Sequence, residues 1–232
     1  LVINFLEPYI PILKVSIVRG VAMLKVLNLY AGIGGNRKLW TDVEVTAVEI
    51  DEVRASIYKT FFPKDNVITG DAHQYLLEHY KEYDFIWSSP PCPTHSQLGR
   101  LRVLSDSKVT GAYMSEAKYP DMTLYQEILL LKHFFKGKWC VENVIAYYEP
   151  LVRARELQRH HFWSNFHIGH IELPPDKIDN GKIHEWEEQL GFDLSSFKGI
   201  DKRNILRNCV RPELGLHILN ESKTGLYQEL FT

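Results

Sequence analysis

From Leu24 onward, short apolar runs alternate with longer amphipathic stretches, which is how successive βαβ units around a mostly parallel sheet read. The apolar runs predict strands at Lys25 to Tyr30, Glu44 to Glu49, Asn66 to Thr69, Tyr83 to Ser88 and Lys138 to Glu142. Between Asp51 and Phe62, the residues Val53, Ile57, Phe61 and Phe62 recur near helical spacing, and Pro63 ends that helix. Leu124 to Phe135 is the most apolar helical stretch and is expected to be the most buried. The run Asn28 to Gly35 reads as a strand turning into a further helix. From Thr94 to Tyr119 periodicity is lost among Ser, Gly, Thr and Arg, and a stretch of that length inside a domain is usually functional or disordered. After Pro150 the pattern predicts a helix, a strand pair around His161 to Leu173, and a polar segment containing Pro174, Pro175 and Gly181. No internal repeat is visible.

A chain of 232 residues can bury one full core, and 45% hydrophobic with 24% charged residues excludes a disordered tail or a fibrous repeat. The formal charge of −2 does not announce a nucleic-acid protein, so any such contact has to come from local asymmetry. Arg100, Arg102, Lys108 and Lys118 form one basic stretch, and Lys198, Lys202, Arg203, Arg207 and Arg211 form another, with the acidic stretch Glu172 to Asp193 between them. Taken singly, each charge reads as part of a solvated face. Cys92, Cys140 and Cys209 are too few and too far apart for a disulfide framework, which fits a reducing cytoplasm. The apolar N-terminus is interrupted by Pro8, Pro11, Lys14 and Arg19 and does not read as a membrane span. Residues 1–22 read as an extension outside the catalytic fold, with Met23 just before the first strand.

Candidate chemistry collects at the carboxyl ends of the predicted strands, where open α/β sheets bind ligands. Tyr30-Ala31-Gly32-Ile33-Gly34-Gly35 offers a turn on which a backbone can approach a cofactor, without the glycine spacing of a dinucleotide fingerprint. Glu49-Ile50-Asp51 closes the next strand, where an acid can take ribose hydroxyls, and Gly70-Asp71-Ala72 closes the third; any one of these acids reads equally as a helix cap. Ser89-Pro90-Pro91-Cys92 follows the fourth strand, and its prolines fix the backbone and aim a constrained thiol at the same edge. The fifth strand delivers Glu142-Asn143-Val144 beside it. His160, His161, His167 and His170 lack the Cys or acid that would complete a zinc set, and their alternation with Phe162, Trp163 and Phe166 reads as a strand with one buried face, so no metal is expected.

In this order and spacing, Tyr-Ala-Gly-Ile-Gly-Gly, Glu-Ile-Asp, Gly-Asp, Pro-Pro-Cys and Glu-Asn-Val resemble the DNA cytosine-C5 methyltransferases. Arg207-Asn208-Cys209-Val210 resembles the closing motif with which that family returns to its cofactor site. The resemblance implies a Rossmann-like α/β fold and S-adenosylmethionine as cofactor. It implies that Cys92 adds to C6 of a flipped cytosine, that Glu142 holds its N3 and N4 edge, and that Arg159 contacts the base. Tyr30 to Gly35, Glu49, Ile50, Asp71, Ala72, Pro91, Asn208 and Val210 then hold the cofactor. Ser96, Arg100 and Arg102 meet double-stranded DNA, with residues 97–118 as a mobile loop. No membrane, metal or obligate protein partner is implied. The implied organisation is a catalytic core at 23–163, a reduced target-recognition segment at 164–203 and a returning C-terminal helix at 204–232.

The chain departs from the family where Pro-Cys is followed by Pro93-Thr94-His95-Ser96 rather than by Gln and an aromatic, and where Leu157-Gln158-Arg159-His160-His161 replaces Gln-x-Arg-x-Arg. Tyr30 in place of Phe is a mild change on this reading. An RNA substrate, or an inactive cofactor-binding or DNA-binding module, are the alternatives that these departures leave open.

Overall fold

The computed structural model describes residues 23–96, 119–177 and 181–229. The N-terminal extension and the expected loop with Arg100 and Arg102 lie outside the described residues. Seven strands form one sheet: β1 (Leu24–Leu29), β2 (Val43–Glu49), β3 (Asn66–Thr69), β4 (Phe85–Ser88), β5 (Lys138–Val144), β6 (Arg155–Leu157) and β7 (His160–Ser164). Their order is β3-β2-β1-β4-β5-β7-β6. The first five run parallel, and β7 is antiparallel to both β5 and β6. Parallel strands are covered on both faces, which is why β1 and β4 are nearly unbroken apolar runs. Strand order reverses between β1 and β4, so a crevice opens beyond Leu29 and Ser88.

Among the described residues six α-helices accompany the sheet: α1 (Glu52–Phe61), α2 (Ala72–His79), α3 (Thr123–Phe134), α4 (Ile183–Leu190), α5 (Lys202–Arg207) and α6 (Pro212–Glu229). On one face, Leu27, Leu29, Ile86 and Val141 pack against Leu76 of α2 and Leu124, Ile128 and Leu131 of α3. On the other, Val26, Val45, Phe85, Trp87 and Cys140 pack against Leu214, Ile218 and Leu219 of α6. Farther along that second face, Ala47 meets Ile57 and Tyr58 of α1, with Trp186 and Leu190 of α4 in the same cluster. Among the described residues no helix is long and apolar enough to cross a membrane.

Four expectations are corrected. No helix follows Gly35; residues 31–40 form successive turns through Gly34 N to Ala31 O, Lys38 N to Gly35 O and Trp40 N to Arg37 O. Helix α6 lies over that position instead. Asn36 is pinned back to Asn28 of β1 by a 2.8 Å side-chain bond, and a Cβ at Gly215 of α6 would collide with the Asn36 backbone.

The helix expected after Pro150 is absent, and the strand pair lies earlier than expected, as β6 and β7 joined through Gln158 and Arg159. Gln158 takes a left-handed φ of 56°, which permits the tight reversal. Phe166, Ile168, Ile171 and Leu173, which alternate as if in a strand, lie as irregular chain against the α6 side of the core. Strand β7 is also buried on both faces rather than one, because it lies inside the sheet between β5 and β6.

Candidate active site

The loop after β4 is held from several sides. Asn143 of β5 donates to the Pro90 carbonyl at 2.9 Å, and Trp87 Nε1 donates to Ser89 Oγ at 2.8 Å. The Cys92 carbonyl accepts from His95 N and Ser96 N, curling the loop behind the thiol. His95 is fully buried, with Nδ1 2.6 Å from Tyr148 Oη, and Thr94 Oγ1 accepts from Asp121 N at 2.9 Å. Ser96 bridges to Ala146. The residues that depart from the family pattern thus anchor both sides of the segment beyond Ser96. Burial keeps His95 below its ordinary pKa, opposed in part by Asp121.

Cys92 is half-buried, and Glu142 and Arg159 both act on it through space. Burial pushes the thiol above its ordinary pKa and the Glu142 charge adds to this, whereas the backbone N–H and Arg159 pull the other way. The resting group is therefore a thiol that needs activation. Glu142 is buried, with Oε1 2.6 Å from His160 Nδ1 and a further bond from Ser89. Burial opposes its ionisation, yet the His160 ring, Ser89 and Arg159 outweigh that and hold its pKa below the usual carboxylate value. Arg159, in the β6–β7 turn, donates through Nη2 to the Arg207 carbonyl at 2.9 Å and lies 3.3 Å from Asp176. Three side chains from three parts of the chain thus act on one another through space.

The glycine turn stands next to it. Gly32 N donates to Glu49 Oε2 at 2.8 Å and Asp51 N to Oε1 at 3.0 Å, so Glu49 braces the turn rather than capping a helix. Asp51 and Asp71 do cap, accepting from Arg54 N and Gln74 N at the starts of α1 and α2. Ile50 is 69% exposed beside the buried Glu49. A cleft is lined by Tyr30, Ala31, Gly32 and Gly35 on one side and by Asn208 and Val210 on the other. A Cβ on Gly35 would lie 2.5 Å from the Val210 carbonyl, so only glycine allows the returning segment to close the cleft. Ile33 and Ala72 are buried in the core, and Gly34 packs beneath Tyr58, so these three support the turn from behind. Pro91 is exposed next to Cys92.

Residues 24–113 match the model of the C-5 cytosine-specific DNA methylase family. Over these residues the chain is similar to the C5 cytosine methyltransferases. S-adenosylmethionine is the cofactor of this family. A tRNA (cytosine(38)-C(5))-methyltransferase of Spodoptera frugiperda is 35% identical over 83 residues, covering 33% of this chain and 25% of that one. The type II methyltransferase M.NlaX of Neisseria lactamica is 27% identical over 151 residues, covering 58% of this chain and 48% of that one. The chain thus spans a quarter to about half of the length of these two relatives. The solved methyltransferase EhMeth of Entamoeba histolytica superposes with a TM-score of 0.53 at 11% identity, covering 88% of this chain and 99% of that one, a likeness of fold.

Two features of this site escaped the sequence reading. One is His160 as the partner of Glu142; its histidine run had been weighed only for metal binding or strand burial. Among the described residues no group of His, Cys, Asp and Glu could hold a metal ion. The other is Glu127 of α3, fully buried, which accepts from Tyr30 Oη at 2.6 Å and Ser88 Oγ at 2.5 Å and lies 3.0 Å from His73 Nδ1. A lone acid inside the most apolar helix was the available signal. It corrects the view that Tyr for Phe at position 30 is mild, because the added hydroxyl ties the glycine turn to α3. Burial and the Glu127 charge keep that phenol protonated at any working pH.

Proposed function

We propose that this chain transfers a methyl group from S-adenosylmethionine to C5 of cytosine in double-stranded DNA, through covalent addition of Cys92 to C6. The observation that carries the reading is the convergence of Cys92, Glu142 and Arg159 beside the cleft between the glycine turn and Asn208. The residues around that cleft suit the cofactor chemically. Exposed Ile50 offers an apolar face for an adenine, Glu49 and Asp71 offer carboxylate oxygens to ribose and amino groups, and the Gly32 turn leaves open space above it. When bound, S-adenosylmethionine supplies an electrophilic methyl group. The remaining work belongs to the protein. A target cytosine has to leave the duplex for its C6 to meet a side chain of the protein. Cys92, once ionised, attacks C6, while Glu142 orients the N3 and N4 edge and Arg159 sets charge beside the base. Addition at C6 makes C5 nucleophilic, and loss of the C5 proton and of the thiol restores the ring.

DNA is favoured by the description of the matching family and by M.NlaX, which aligns over more of this chain than the tRNA enzyme does. Transfer RNA is the second reading, supported by the 35% identity to the Spodoptera enzyme. Incubation with labelled cofactor and either unmethylated genomic DNA or total tRNA decides between them. Label appearing only in tRNA overturns the DNA reading, and label in neither overturns both.

A further inference from the structure

Addition of a thiolate to C6 pushes the C5=C6 electron pair through C4 onto N3, and the step proceeds only if N3 takes up a proton. On the reading above, Glu142 is the group that meets N3, yet its surroundings favour the carboxylate. A proton therefore has to reach Glu142 from a neighbour. Arg159 does not give one up in any protein setting, and a serine hydroxyl such as Ser89 is far too weak an acid. Cys92 shares no hydrogen bond with Glu142 among the described contacts and acts on it only through space. His160 remains, with Nδ1 2.6 Å from Glu142 Oε1.

We propose that His160 is the proton reservoir of the methyl-transfer site, passing its Nδ1 proton to Glu142 as Glu142 protonates N3, and recovering it when the covalent adduct breaks down. The inference rests on the proposed C5 methylation. Starting from the Cys92 thiolate, the Sγ–C6 bond forms and N3 gains a proton through Glu142, which takes one from the His160 imidazolium as it gives one up, so Glu142 ends as the carboxylate it began and His160 is neutral during the life of the adduct. After methyl transfer the C5 proton leaves to solvent water, the thiolate is expelled, and the N3 proton returns through Glu142 to His160. His160 does not touch the base, so it is a positioning residue that acts through Glu142.

The charged and titratable groups around it are few. Glu142 faces it from β5, with Ser89 and Cys92 at the end of β4. Arg159 precedes it in the turn, itself held by Asp176 and the Arg207 carbonyl, and the buried Cys209 thiol lies within reach of the Arg159 charge. Leu157 of β6 opposes His160 in the register and brings no charge. His161 points to the other face of the strand, where Glu156 binds it at 3.1 Å.

The test is His160→Gln, which can still donate a hydrogen bond to Glu142 but has no ionisable proton. Wild-type kcat on the target DNA site is expected to fall toward alkaline pH. The variant should bind S-adenosylmethionine with unchanged affinity, turn over on the order of 10²-fold more slowly or worse near neutral pH, and lack that falling limb. On a duplex carrying 5-azacytosine at the target, whose ring nitrogen makes C6 more electrophilic and accepts the charge itself, adduct formation should return to within about tenfold of wild type. A variant matching wild type within threefold across the pH range overturns the role of His160 while leaving the methyltransferase reading intact. A wild-type protein that neither methylates nucleic acid nor forms a 5-fluorocytosine adduct sinks both. Should the variant not fold, the wild-type profile decides alone, and a kcat with no falling alkaline limb overturns the proposal.

Discussion

Ser88 and Ser89 are neighbours at the end of β4, and because successive strand residues point to opposite faces they serve two different buried carboxylates. Ser88 donates to Glu127, which also has a tyrosine and His73; Ser89 bonds Glu142, which also has His160 and the field of Arg159. The chemical cast is nearly the same on both sides of the sheet. What differs is saturation. Glu127 is enclosed by three partners from three elements and has no nucleophile beside it, so its bonds serve to lock the crevice together. Glu142 shares its surroundings with the Cys92 thiol, and on the proposed reading it is the carboxylate that meets the base. Composition of a cluster does not assign its role; the access left to its lone pairs does.

The contrast breaks most sharply at the thiol. Cys92→Ser should reduce methyl transfer below detection while leaving S-adenosylmethionine affinity within about twofold, because a hydroxyl is a far poorer nucleophile at neutral pH. Calorimetry and label incorporation on the same preparation check this, and substantial residual activity would remove the covalent mechanism. Next comes the pair of isosteric changes. Glu142→Gln should lower kcat by roughly 10²- to 10⁴-fold with little change in Tm. Glu127→Gln should do the opposite, costing roughly 2–3 kcal/mol of stability and lowering Tm by about 5 °C or more, while kcat at saturating cofactor stays within a few-fold. If both variants lose rate equally, the division between the two faces is wrong.

Much of this was legible in the chain. The five parallel strands were read to within a residue or two because strands covered on both faces are continuously apolar and end in chemistry-bearing turns. Cys92, Glu142 and the Asn208 segment stand out in the sequence because their residue types and order are specific. What was missed depends on contacts far apart in sequence. No local signal says that α6 would lie over the turn after Gly35, or that Asn36 would bond back to Asn28. The β6–β7 pair was displaced because Phe166 to Leu173 alternates like a strand while serving as irregular cover for the core. Glu127 was visible as an acid in an apolar helix, but its partners come from β1, β4 and α2.

The smaller effects refine the comparison. Tyr30→Phe deletes one donor to Glu127 and should cost about 1.5–3 kcal/mol by chemical denaturation, with cofactor affinity falling more than kcat. The bond to Glu127 raises the His73 pKa, with burial opposing. The stability it contributes is therefore fully present below the pKa of an unfolded histidine and is lost as pH rises through the folded value. This part-exposed pair should account for no more than about 1 kcal/mol, and His73→Gln should flatten that portion of the stability profile. A variant that keeps the wild-type slope would place the titration elsewhere.

Helix α6 carries a consequence for how the protein comes into being. Until Pro212 onward leaves the ribosome, Val26, Val45, Phe85 and Trp87 have no lid, and the cleft has only one wall, because Asn208 and Val210 arrive just ahead of that helix. A nascent chain stalled short of this point presents a greasy half-sheet to chaperones and proteases, and it holds the nucleophile without a completed cleft for the methyl donor. On the proposed reading, competence to modify nucleic acid is thereby withheld until helix α6 is translated, and a premature stop before Pro212 is expected to yield a chain fit for degradation rather than a weakened enzyme.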